Sequence, residues 1–187
     1  MIRWIPFVLV VLATVLAQTT VAGLIGLHGF GFGGVRPDLL AILAVFVALN
    51  GRAGSEALLA GWLLGFALDL TTHGGPAGGL VLGPLTVSYA LASWGLYRLR
   101  EAFFREHAVA QALLGAVFCG AVHEAHVLTQ CLLTGAWAGY GRMALQAAGV
   151  ALYTGVLTPP VHWGLRRIAK WFMTGPAGAG RRGARSS

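Results

Sequence analysis

"GWLLGFALDLTTHGG", residues 61–75, is apolar for most of its length and then carries an aspartate. The whole chain has only six acidic residues, and one of them, Asp69, sits in a stretch otherwise suited to lipid. Of the 187 residues, 57% are hydrophobic and 10% are charged, whereas a soluble domain carries about 25% charge. The charges fall in short clusters between long apolar runs. That pattern is the one expected of a polytopic membrane protein, with no soluble domain beside it. The 28 glycines agree, because small residues let membrane helices approach closely.

Six spans can be drawn: residues 4–27, 38–50, 56–72, 79–97, 108–134 and 143–165. The chain divides into a six-helix transmembrane domain, 1–172, and a disordered basic cytoplasmic tail, 173–187. The first apolar run is too long for a signal peptide and reads as a retained span. The second span is short, rising only about 20 Å against a hydrocarbon core of about 30 Å. With the N-terminus in the cytoplasm, Arg36 and Arg142 are the only basic residues outside, leaving eleven of the thirteen inside. This is the positive-inside bias of a membrane protein with both termini cytoplasmic. Net charge of +7 is therefore assigned to orientation and anionic lipid, and no nucleic-acid partner is expected. Trp94, Tyr97 and Trp171 fall at the inner interface, Trp137 and Tyr140 at the outer one.

Polar residues at membrane depth are the candidates for function. Asp38 follows Pro37, which suits a first helical turn, and its carboxylate suits a helix N-terminus. Arg36, Asp38 and Asp69 are expected at similar depth, with Asp69 an anchor between the second and third spans, held by Arg36. The bland alternative is that Asp69 is only the polar end of its helix. Gly61, Gly65 and Asp69 recur every four residues, so one face of the third span should pack against protein. In the fifth span Cys119, His123, His126 and Gln130 share a face. A soft metal there is the sharper reading, but one helix cannot complete the site, and a hydrogen-bonded polar seam is preferred. Cys119 and Cys131 lie about 18 Å apart along that helix, too far for a disulfide. Pro159 and Pro160 should kink the sixth helix near its inner end, or end it there and leave an interfacial piece.

Three blocks make the chain similar to the rod shape-determining protein MreD family. They are "RPDLLAILAVFVAL" (36–49), "GWLLGFALDLTTHGGPAGG" (61–79) and "GVLTPPVHWGLRRIAK" (155–170). The first is similar to the family's entry to its second helix, the second to its glycine–glycine–aspartate block, and the third to its proline-bearing last span. The histidines of the fifth span and the basic tail fall outside the resemblance.

The resemblance implies a fold similar to the substrate-binding subunit of energy-coupling-factor transporters. It also implies a non-enzymatic scaffold of the bacterial inner membrane that organises cell elongation and peptidoglycan synthesis. Its partners would be MreC and, through it, the MreB filament, RodA and a penicillin-binding transpeptidase. The residues carried over as structural or partner contacts are Arg36, Pro37, Asp38, Gly61, Gly65, Asp69 and Pro159; no catalytic, cofactor or metal residue is implied. No GxSxG or HExxH motif is present, which agrees with a non-enzyme. The alternative function is a membrane-embedded substrate-capture subunit of a transporter, with an outward pocket at Asp38, Asp69 and His123. A metal-dependent membrane enzyme at Cys119, His123 and His126 is a third.

Reporter fusions test the topology. Those placed after Gly75 and Gly139 are expected to read external, and those after Arg52 and Arg105 internal. An external reading after Arg105 would overturn the orientation or the number of spans.

Overall fold

The computed structural model describes residues 1–26, 34–71, 83–100 and 107–173. Among the described residues there are six α-helices and no strand: α1 (Trp4–Leu24), α2 (Leu39–Asn50), α3 (Gly54–Thr71), α4 (Pro84–Leu99), α5 (Ala108–Thr134) and α6 (Tyr140–Phe172). A 3-10 turn, Trp137–Gly139, leads into α6. The fifth helix has the bounds expected from sequence; the ends of the others differ by up to five residues, except that the sixth runs seven residues further than expected. The tail beyond Met173 and the "HGGPAGG" segment lie outside the described residues.

The helix ends follow local chemistry. Asp38 is the N-cap of α2, its carboxylate accepting from Ala41 N at 3.0 Å, as its position after Pro37 suggested. Pro84 opens α4, where a missing N–H costs nothing. Gly135 ends α5 at φ +69°, a left-handed conformation that glycine adopts without strain.

The largest departure from expectation is α6. It runs unbroken for 33 residues through Pro159 and Pro160, so the helix does not end there. Each proline removes a backbone bond, at about 3 kcal/mol in a helix interior. Packing against α5 offsets this. At Gly155 an added Cβ would meet Ala112 O at 2.8 Å, and Gly115 of α5 lies equally tight against Thr158. The Thr158 hydroxyl also donates to Thr154 O at 2.8 Å, one turn back in the same helix.

The layout is a ring with a helix in it. α1 packs on α3, α3 on α4, α4 on α5, α5 on α6, and α6 on α1, while α2 touches all five. Every residue of α2 from Leu40 to Leu49 is buried. The ring helices instead turn apolar side chains outward. Ile5, Leu9 and Leu16 of α1, Val117 of α5, and Leu152 and Val156 of α6 are all exposed. Two helices, over Trp4–Val21 and Ala108–Thr134, are long and apolar enough to cross a membrane by length and composition.

Contacts at the ends set the helix directions. Arg3 N donates to Phe172 O at 2.8 Å, Ile2 N to Glu56 Oε1 at 3.2 Å, and the Tyr97 hydroxyl to Arg52 O at 2.9 Å. One end of the bundle thus gathers the start of α1, the α2–α3 turn and the ends of α4 and α6. Among the described residues that end carries Arg3, Arg52, Arg98, Arg100, Arg166, Arg167 and Lys170, and the opposite end carries Arg36 and Arg142.

The stripe of Gly61 and Gly65 does pack against protein, and its partner is α4. A Cβ on Gly61 would meet Tyr89 O at 2.6 Å, and one on Gly65 would meet Leu85 O at 2.6 Å. Both obstacles are backbone and cannot swing away. Gly65→Ala is therefore expected to destabilise the protein by about 1–3 kcal/mol. Gly95, also in α4 and with nothing within 4 Å of a built Cβ, is the control. Gly95→Ala should be neutral or stabilising by up to about 1 kcal/mol. Thermal melts of both variants check this; equal effects would show that the α3–α4 contact is not tight.

Candidate functional site: a polar cluster and cavity at the head of α2

α2 is too short to fill the ring along its length. Its 12 residues rise about 18 Å, while the 27 of α5 and the 33 of α6 rise about 40 and 50 Å. Space remains beyond the N-terminal end of α2, and a cavity of about 340 Å³ occupies it. Gln18 of α1, Arg36 and Asp38 at the entry to α2, and His123, His126 and Gln130 of α5 form its polar wall. Leu68, Val127, Met143, Ala147 and Val150 form its apolar wall.

At the base lies Asp38, only 2% exposed. A buried carboxylate needs several donors, and three helices, α2, α4 and α5, supply them. Oδ1 accepts from Ala41 N in the first turn of α2. Oδ2 takes the Tyr89 hydroxyl of α4 in a short hydrogen bond and lies 3.0 Å from His123 Nε2 of α5. The Asp38 backbone N–H donates to Thr154 Oγ1 of α6 at 2.9 Å. Thr154 in turn accepts from Cys119 Sγ at 3.6 Å. Gln18 of α1 brackets the same turn, accepting from Leu39 N at 2.7 Å and donating to Pro37 O at 3.0 Å. One residue at the head of the central helix thus ties α2 to α4, α5 and α6.

Asp69, 3% exposed, is used differently from the expectation. Its Oδ2 accepts from Gly83 N and Thr86 N, each at 3.0 Å, and from the Thr86 hydroxyl at 2.6 Å. It therefore caps the N-terminus of α4 from the neighbouring helix, with Gly83 at φ +123° turning the chain toward it. The anchor between the second and third spans is corrected on this point: Asp69 joins the third helix to the fourth. Among the described residues the ion pairs are Met1–Glu56 and Asp38–His123, so Arg36–Asp69 is not one of them. The physical reason is the glycine stripe. Gly61 and Gly65 draw α4, not α2, onto the face that Asp69 shares.

Arg36, Asp38 and His123 thus gather at the cavity, while Gly61, Gly65 and Asp69 form the α3–α4 seam. Pro37 is buried at the entry to α2, and Pro159 lies mid-helix in α6, remote in sequence from the cavity residues of that helix. The fifth-helix face behaves as a polar seam: His123 meets Asp38, and Gln130 Nε2 lies 3.0 Å from His126 Nε2. Glu124, off that face, accepts the Tyr140 hydroxyl. The metal-type donors that come together are Asp38, Cys119 and His123, whose ligand atoms lie within 4.8 Å of one another. His126 is not in that set, and all three members already have protein partners. Cys119 and Cys131 are both buried free thiols.

Tyr89, Thr154, Thr86 and Gln18 were missed in the sequence. Their signal was present, as lone hydrogen-bonding side chains inside apolar runs, but uncharged polar residues are common there and carry little weight singly.

Compared with family models, with curated proteins and with solved structures, the chain matches none. The fold and site define its class directly: an all-helical bundle with a capped central helix and a polar cavity at that helix's head.

Substitutions at Asp69 separate the two roles. Asp69→Leu strands the Gly83 and Thr86 donors and should destabilise by about 1–3 kcal/mol. Asp69→Asn keeps a capping oxygen and should cost less. The double exchange Arg36→Asp with Asp69→Arg should bring no recovery of stability over Asp69→Arg alone. Recovery in denaturant melts would restore the direct pair.

Proposed function

We propose that the chain is a polytopic protein of the bacterial inner membrane that acts as a non-enzymatic scaffold in the cell-elongation complex. The membrane assignment is supported by the inversion of the usual pattern. The apolar face of α2 is buried all round, while the ring helices also present apolar side chains to the outside, which a bilayer accommodates and water does not. The distribution of basic residues between the two ends supports the cytoplasmic placement of both termini.

The scaffold function rests on the resemblance to the MreD family, and one structural observation carries it furthest. The Arg36–Pro37–Asp38 entry and the Gly61–Gly65–Asp69 stripe each have a demanding structural role, the first capping the central helix and the second seating α3 on α4. Blocks that build the fold are the ones on which a family resemblance should rest. In this reading the exposed helix faces recruit MreC and, through it, MreB, RodA and a penicillin-binding transpeptidase. A fold similar to the substrate-binding subunits of energy-coupling-factor transporters is part of the same proposal.

A second reading, a membrane-embedded substrate-capture subunit, is favoured by the cavity at the head of α2. An affinity pull-down of the intact chain from mild detergent discriminates the two. Enrichment of elongation proteins, lost when outward residues of one ring helix are exchanged, is the expected result. Enrichment of an ATPase pair instead would replace the scaffold with the capture reading, and recovery of neither set would overturn both.

A further inference from the structure

We infer that the cavity at the head of α2 binds a small monoanion with a short apolar part, its carboxylate or phosphodiester group seated on Arg36. Four features point there. The first is size: about 340 Å³ lies at the lower end of the 300–1,000 Å³ typical of small-molecule sites. The second is the two-sided wall. Leu68, Val127, Met143 and Val150 offer an apolar surface facing charged and amide groups, an arrangement that orients an amphipathic ligand.

The third is charge. Asp38 is already occupied by Tyr89, His123 and the first turn of α2. Arg36, exposed at the cavity, has no hydrogen-bond or ion-pair partner among the described residues. Among the described residues the Arg36 guanidinium is thus left without a counter-charge in contact with it. A neutral occupant would leave that guanidinium uncompensated, and a cation would oppose it; an anion gains a charge-assisted contact. The fourth is His126. The Gln130 amide N–H donates to its Nε2, so the neutral ring carries its proton on Nδ1, and that buried N–H has no acceptor. His126 thus lines the cavity and keeps one polar group without a partner inside the protein.

The same head group can come from a free anion or from an anionic lipid, and the inference stands whichever partners the chain recruits. Binding is therefore measured on the purified full chain, apart from any pull-down. The probe is hexanoate, titrated calorimetrically into nanodiscs of phosphatidylcholine, with hexanol as the neutral comparator. Expected are saturable binding of one hexanoate per chain and hexanol at least 10-fold weaker. Arg36→Gln should weaken hexanoate at least 10-fold, while Arg36→Lys, which keeps the charge, should stay within about threefold. Met143→Trp, filling the cavity, should abolish binding. Arg142→Gln, the other basic residue at this end but not in the wall, should leave it unchanged. Repetition in phosphatidylglycerol nanodiscs assigns the source: lost hexanoate binding identifies the lipid head group as occupant, and retained binding a free anion. Equal affinity for hexanoate and hexanol overturns the proposal. So does an equal loss in Arg142→Gln and Arg36→Gln, or the absence of saturable binding with all variants retaining their helical melts.

Discussion

A short apolar helix enclosed by five others is the constraint on which the rest of this structure depends. α2 has no face left for the surroundings, so each of its side chains must find an apolar neighbour. Its backbone ends must be satisfied inside the bundle too, because buried amide groups without partners are costly. Asp38 meets that demand at the N-terminal end, and it is a demand that a serine or asparagine cap could meet only in part. The carboxylate accepts several donors at once, and so one residue can join the central helix to α4 and α5 while its backbone reaches α6.

Both buried carboxylates turn out to be caps, one within its own helix and one for a neighbour. Among the described residues this divides the buried acidic groups into two separate seams. Asp69 completes the α3–α4 pair, where two glycines remove the side chains that would keep the backbones apart. Asp38 completes the seam between α2 and the α4–α5–α6 side of the ring. Neither depends on the other, and Arg36 is left to face the cavity.

That cavity is a consequence of helix length. A ring of long helices around a 12-residue core helix has unfilled volume at one end, and polar side chains from three helices line it. A scaffold gains nothing from such a space, whereas a chain that reads a small ligand does. In the two proposed roles, partner recruitment falls to the outward apolar surface and ligand recognition to the cavity, and they do not compete for the same residues.

By itself the sequence determined the helical class, the number of helices, the separation of basic residues between two ends and the capping role of Asp38. These follow from local rules: apolar runs, charge counts and the chemistry of a helix start are all read within a few residues. It also marked the Gly61–Gly65–Asp69 face as a packed one. Which helix packs there was decided only by tertiary structure, since a glycine stripe states that something comes close and not what. The same holds for His123. Its place on the fifth-helix face was legible, but its partner Asp38 lies 85 positions away and is chosen by the ring order. Continuity of α6 through Pro159 and Pro160 was likewise a tertiary outcome, because the close fit of Gly155 and Gly115 between α5 and α6 outweighs the local preference of proline to end a helix.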